Sequence, residues 1–263
     1  MPMNKILLYF VFIFFAFIPL KIYAEIPKDI FFHVYRNGSK IGHHKINFQS
    51  YIDSNGSRFI NADIEIKFKV KLLGFVVYDY FHKNKESWKK TPKETIAFAC
   101  KGCNHLNFLN NLNSSTDKNG TKMFCNIESD KKKNGAFLLA KGSEAELSAH
   151  AYTMSSSYWD SHLVERNINE NGLILDAEDS LIEKKVFNTQ DCSLINFKIM
   201  NKGEKLIYNN ELSTKHYKLN GEESNGGILD IDIWYDDSGN WVKMKFLKDG
   251  SEIEYFLDEY HKK

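Results

Sequence analysis

After Ala24 the chain has no apolar run approaching the ~20 residues that a membrane-spanning helix needs, so no later segment is expected to cross a bilayer in that form. Neither sign of charge is in excess. The formal net charge is +1, and without Lys5 and Lys21 the remainder turns slightly acidic. Nucleic-acid-binding domains usually carry a clear basic surplus, so that class is set aside. There is no Gly-rich phosphate loop, no nucleophile elbow and no His-Glu-x-x-His helix. No cofactor, metal or catalytic triad is therefore expected, and an enzyme has little support. His82 and Glu86 are spaced for an acid/base pair, but such pairs recur by chance. Asp230, Asp232 and Asp236 share one strand face and are better explained by turn caps and cross-strand ion pairs than by metal binding.

What the chain does carry begins with an address. Lys5 precedes an uninterrupted apolar stretch from Ile6 to Leu20, and Ile22-Tyr23-Ala24 stands before acidic Glu25. This is the pattern of a secretory signal peptide over 1–24. The alternative is an uncleaved anchor, for which Lys21 ends the run short. The expectation is export to a periplasm, with residues 25–263 forming a single β domain. Cysteine is missing before Cys100, so a lipidated N-terminus at the cleavage point is not expected. Cys100, Cys103, Cys125 and Cys192 are an even set suited to an oxidising compartment and read first as two disulfides with open pairing. Cys100-Lys101-Gly102-Cys103 also has redox or zinc spacing. It follows a strand-like segment rather than opening a helix, however, and lacks a second close pair.

Hydrophobic content of 43% and aromatic content of 14% describe a globular chain, and its apolar residues fall mostly with period two. The clearest block is Leu229 to Leu257. Leu229, Ile231, Ile233 and Tyr235 alternate with polar neighbours, as do Val242, Met244 and Phe246, and then Ile253, Tyr255 and Leu257. Asp249-Gly250 is a two-residue hairpin turn. A four-residue loop at 237–240 sets Asp236 opposite Trp241. One face then holds the rows Ile231–Phe246–Ile253, Ile233–Met244–Tyr255 and Tyr235–Val242–Leu257. The other places Lys245 between Asp232 and Glu254, and Lys243 between Trp234 and Phe256, each pair worth roughly 0.2–1 kcal/mol. A one-residue slip would bury both lysines, which makes the register firm.

Upstream, Ile30–Phe48 reads as a hairpin about Asn37-Gly38, with Gly42 marking a bulge or a close backbone approach. His43 and His44 point to opposite faces. Ile60 to Leu72 alternates without fault and spans roughly 40 Å, a length typical of strongly twisted or barrel-forming sheets. Phe75–Phe81 pairs with it, and Glu86 and Trp88 then share one side of an extended segment. Trp88 suits either a core anchor or a pocket wall with Glu86 as the polar contact. Residues 104–134 are Asn-rich and read as loops and short edge strands. A short helix or turn is expected over Ser157–Leu163, with strands Leu173–Leu175, Glu183–Phe187, Cys192–Ile199, Lys205–Tyr208 and Glu211–Leu219 beyond it.

Several of these blocks resemble a family of exported proteobacterial proteins classed as a domain of unknown function. The likeness rests on Phe32-x-Val34, Gly38, Ile41-Gly42-His43, Glu86-x-Trp88, Ser157-x-Trp159, Ile174-Leu175-Asp176, His216-Tyr217 and Gly221. Its most specific part is Trp234-Tyr235-Asp236 with Gly239-Asn240-Trp241 and Asp249-Gly250. The resemblance implies a curved antiparallel sheet wrapping a helix, similar in architecture to periplasmic lipoprotein carriers and other half-barrel lipid binders. The cysteines and the Asn-rich stretch depart from that pattern. The expected fold is thus all-β, a half-barrel or open barrel with one short helix.

Two functions fit. One is a carrier holding a lipid-like apolar ligand in the curved sheet, with His82, Glu86, Trp88, Trp159, Trp234, Tyr235 and Asp236 as candidate ligand-binding residues. The other is a structural or interaction protein of the cell envelope that docks a partner through a sheet edge or the Trp234–Lys243–Phe256 face. An outer-membrane barrel fits less well, because the outward positions are charged.

Overall fold

The computed structural model describes residues 26–90, 107–133, 136–143, 146–165, 167–168, 174–175, 181–223 and 226–260. The N-terminal address, Cys100 and Cys103 lie outside the described residues. The alternating segments build one sheet of fifteen strands, antiparallel apart from its last pairing. Its centre is β1 (Ile30–Arg36), which pairs on one side with β2 (Ser39–Ile52) and on the other with the last strand, β17 (Ser251–Leu257). From β2 one arm runs through β3 (Arg58–Leu72), β4 (Phe75–Lys90), β5 (Asn107–Lys118), β6 (Thr121–Ser129), β7 (Phe137–Gly142) and β8 (Glu146–His150). From β17 the other arm runs back through β16 (Trp241–Lys248), β15 (Ile228–Asp236), β14 (Leu212–Glu222), β13 (Leu194–Ile207) and β12 (Leu181–Phe187). It ends on the parallel two-residue strand β9 (Met154–Ser155). A four-residue helix, α1 (His162–Glu165), follows β9, and β10 (Asn167–Ile168) with β11 (Ile174–Leu175) makes a separate ladder.

The sheet is open, its outermost strands β8 and β9 unpaired with each other. It nevertheless curls until the turn between β12 and β13 rests on the opposite arm. Cys192 in that turn is disulfide-bonded to Cys125 of β6, closing a separation of 67 residues. Ser114 of β5 donates a short hydrogen bond to the Thr189 carbonyl. A Cβ on Gly142 would fall 1.8 Å from the Asp191 carbonyl oxygen, so only glycine lets β7 meet the turn. A two-periodic strand that bends this far buries one face completely. Phe32, Val34, Ile46, Ile199, Leu219, Ile233 and Tyr235 form a continuous core inside the curl.

The C-terminal register follows the alternation. Ile231 pairs with Phe246 and Phe246 with Ile253; Ile233 pairs with Met244 and Met244 with Tyr255. Lys243 lies over the rings of Trp234 and Phe256, 5.7 and 4.7 Å from their centroids. Lys245 sits opposite Asp232 and Glu254, although its ammonium pairs diagonally with Glu252 at 2.5 Å. The third row is corrected. Tyr235, not Asp236, faces Trp241, and a bulge turns Val242 away from the row. The cause is the turn: Asp236 caps it by accepting from Ser238 N and Asn240 N, so the loop tightens by one residue. Trp241 then joins the core, while Val242 packs outside with Trp234 and Ile207.

Two further expectations change. Much of the Asn-rich stretch forms a regular hairpin, β5–β6 around Asn119-Gly120, rather than loops. Its inward positions include Ser114 and Thr116, so the apolar alternation that marks a strand is missing. Lys205–Tyr208 is no separate strand; β13 continues through Asn201–Glu204 with an irregularity in its pairing. Gly42 fills both anticipated roles: Val34 faces Gly42 while Tyr35 faces Lys40, and Gly42 lies against the Lys67 carbonyl.

Candidate functional site

The curl is plugged at one end by the segment from Ser155 to Glu165. Ser156 N donates to the Phe187 carbonyl and Asp160 bridges to Asn240, fixing the segment at two points of the arm that runs from β17 to β12. Tyr235 adds a 2.7 Å hydrogen bond from its hydroxyl to the Tyr158 carbonyl. Trp159 packs edge-on against Phe48 and Trp88, with centroids 5.1 and 5.5 Å away.

On β4, period two sends Tyr80, His82, Asn84, Glu86 and Trp88 to the same inner face. Glu86 is fully buried there, and no cation among the described residues pairs with it. Four donors converge on its carboxylate: Asn84 Nδ2 at 2.7 Å, Trp88 Nε1 at 2.8 Å, Ser157 Oγ at 3.1 Å and Trp159 Nε1 at 3.2 Å. Burial raises its pKa, and the hydrogen bonds from Trp88, Trp159 and Asn84 work against that rise. This arrangement joins β4 to the plug through a single side chain. Three candidate residues, Glu86, Trp88 and Trp159, thus meet in one knot.

Beyond the knot the curl encloses a cavity of about 310 Å³. Its apolar and aromatic lining is Ile66, Phe68, Tyr78, Ile231, Met244 and Tyr255. Polar groups are interspersed with these, His44 and His82 flanking Ile66 in one cross-strand row, with Asn84, Ser156 and the β12–β13 turn beside them. Rings stack along β3 and β4: Tyr80 lies 5.5 Å from Phe68 and 6.4 Å from both Tyr78 and His82. Lys118, Lys248, Asp191 and Glu223 stand at its rim.

The polar groups of the cavity are incompletely paired, unlike the Glu86 carboxylate. His82 Nδ1 meets Thr116 Oγ1 at 2.8 Å. His44 is buried, and among the described residues neither of its ring nitrogens has a partner; Asn84 Oδ1 lacks one too. Burial lowers the pKa of His44 to about 3, with His82 and His43 adding to the shift, and that of His82 to about 4. Both imidazoles are neutral near pH 7, so each presents one donor and one acceptor.

The remaining candidates separate from this site. Trp234 faces the outer side, stacked on His216 at 4.4 Å and packed with Ile207 and Val242. Tyr235 holds the plug and Asp236 caps a turn. His44, Tyr80, Asn84 and Tyr255 were not singled out by sequence reasoning. For β4 a signal existed, because its inward positions carry a polar or amphipathic series from Tyr78 to Trp88. Among the described residues no group of three or more His, Cys, Asp or Glu could hold a metal ion, and no helix is long and apolar enough to cross a membrane.

Residues 32–258 match the family described as Domain of unknown function (DUF6134), and the chain belongs to it. No curated protein matches the sequence. Among solved structures the chain is similar to the crystal structure of a beta-barrel-like protein of another domain of unknown function, DUF1849, from Brucella abortus. That likeness has a TM-score of 0.52 at 9% identity and covers 88% of this chain and 95% of that one. At such low identity it speaks to the fold alone.

Proposed function

We propose that the protein is an exported binding module that holds one small amphipathic molecule inside the curl, its apolar body against the aromatic side chains of the cavity and a neutral polar head against His44 and Asn84. The observation that carries this reading is the unpartnered pair of ring nitrogens on buried His44, at the edge of a cavity of about 310 Å³. A buried polar group without a partner costs about 1–3 kcal/mol, and folding alone gives no reason to retain it. A neutral imidazole and an amide acceptor lining the same cavity complement a hydroxyl, an amide or a protonated carboxylic acid. The volume sits at the small end of ligand pockets, which favours a single chain over a whole diacyl lipid. Export to a periplasm is part of the proposal, supported by the N-terminal address and the Cys125–Cys192 disulfide.

The alternative of docking through the outer Trp234–Lys243–Phe256 face is weaker, because Trp234 is already buried under Ile207 and its neighbours. Native mass spectrometry of protein purified from the periplasm tests the binding reading. A copurifying mass of single-chain size is expected, together with saturable uptake of a fluorescent fatty-acid analogue that His44→Leu abolishes while the fold is retained. An apo mass with no saturable uptake overturns it.

A further inference from the structure

Four two-residue hairpin turns close the sheet at one end, and three obey the same chemistry. Asn37-Gly38, Asn119-Gly120 and Asp249-Gly250 each place two residues at positive φ, the requirement of a type I′ turn. Asn and Asp tolerate that conformation because their short polar side chains bond locally. The fourth turn, between β3 and β4, puts Leu73 at φ 50° ahead of Gly74 at 87°. Leucine gains nothing locally from a left-handed backbone, and here it gains nothing from packing either, being 90% exposed.

The exposed apolar surface does not stop there. Leu72 is 63% and Phe75 76% exposed, and Val76 and Val77 are half exposed. Five apolar side chains therefore crown the tip of the longest hairpin in the sheet. Tyr78, the next residue down, lines the cavity, so the tip projects beside its rim. Behind the tip the flanks are cationic. Lys67, Lys69 and Lys71 stand outward on β3, Lys40 on β2 and Lys118 and Lys122 at the neighbouring turn. On the same strands Asp79 is taken up by Lys69 at 3.0 Å, and Asp117 caps the turn through Gly120 N.

We propose that the Leu72–Val77 tip is a membrane-docking finger that inserts its apolar side chains into an anionic lipid surface, with the lysines behind it held at the headgroups. A strained residue kept without a folding benefit points to a use outside the fold. A specific protein interface draws about 20–30 residues from each side, whereas this tip offers five apolar ones on a narrow ribbon. Interfacial insertion needs only such a cluster with a basic collar. The collar also decides the sign of the surface: lysines at the headgroups match anionic lipid. Insertion turns the cavity rim toward the bilayer. The docking itself does not depend on what the cavity holds.

Flotation of the purified protein with vesicles of phosphatidylglycerol and phosphatidylethanolamine tests the finger. Binding is expected, weakening with added salt and falling on pure phosphatidylcholine. Leu73→Asn restores ordinary turn chemistry and removes the apolar tip residue. It should lower vesicle binding about tenfold while thermal stability holds or rises. Phe75→Ser should do the same from the strand, and Lys67→Gln with Lys71→Gln should reduce binding only where anionic lipid is present. Three results would overturn the proposal: no flotation of the wild type, flotation unchanged in a Leu73→Asn/Phe75→Ser double variant, or a wild-type oligomer that these substitutions dissociate. None of these readouts uses a cavity ligand, so failure here leaves the binding reading standing, and failure there leaves this one.

Discussion

Glu86 and His44 lie on the same inner surface, both fully buried, and the protein treats them in opposite ways. Around Glu86 four donors are brought within 3.2 Å, two of them indole nitrogens from different parts of the chain. Around His44 aromatic rings close in, Trp241 at 5.2 Å and Tyr255 at 5.8 Å, and no hydrogen-bonding atom answers its nitrogens. The first is how a fold accommodates a polar group that it needs for its own architecture. The second is how a site is left ready for something else. A buried carboxylate is thus not by itself a functional signal, and here the histidine is the better one.

The sharpest way to break that contrast is Glu86→Ala, which strands four donors at once. Chemical denaturation should show a loss of about 4 kcal/mol or more. Glu86→Gln should cost far less, since Asn84 can rotate its amide to offer Oδ1 in return. If alanine and glutamine behave alike, the knot is not structural. Next in size is the staple. Reducing Cys125–Cys192, or replacing both cysteines with serine, should cost up to about 4 kcal/mol for a loop of this length and should loosen the β12–β13 turn first in hydrogen exchange.

The pH dependence separates the two groups further. His44 and His82 have folded pKa values of about 3 and 4, below the unfolded value of 6.5, so the folded state stays neutral where the unfolded state binds protons. Their contribution to stability is complete above pH 6.5 and is lost as pH falls toward 4, at about 1.4 kcal/mol per pH unit for each. Glu86, with its pKa raised, works the other way and is most favourable at low pH. Unfolding measured between pH 7 and pH 4 should therefore steepen in Glu86→Gln and flatten in His44→Gln. The smallest effect is a gain: Leu73→Asn should add up to about 1 kcal/mol by relieving a left-handed leucine, and a loss on that substitution would remove the argument from strain.

The outline of the fold was readable because most of the sheet buries one face and wets the other. Ile60–Leu72 and Ile231–Tyr255 announce themselves by alternation, and Asp249-Gly250 pins a register to the residue. Reading failed where the interior turns polar. Along β5 the inward Ser114 and Thr116 look like loop residues because they face the β12–β13 turn and His82 rather than the apolar core. The Tyr235–Trp241 pairing escaped because a capping aspartate shortens its turn. Of the candidate site, Glu86, Trp88 and Trp159 did converge, yet as a structural knot. His44 stood out in the sequence only as pointing away from His43, since the absence of a partner is a property of three dimensions and leaves no trace in spacing.

The central strand of this sheet is also its first. Ile30–Arg36 lies between Ser39–Ile52 and Ser251–Leu257, so the seam through the middle of the molecule joins residues more than 200 positions apart, as Phe32 and Leu257 do. Either arm can zip outward from local hairpins as soon as it emerges, and the Cys125–Cys192 staple can join them, but the central seam closes only when β17 arrives. Until then one edge of β1 is an open row of backbone donors and acceptors, the most exposed moment in the life of this protein.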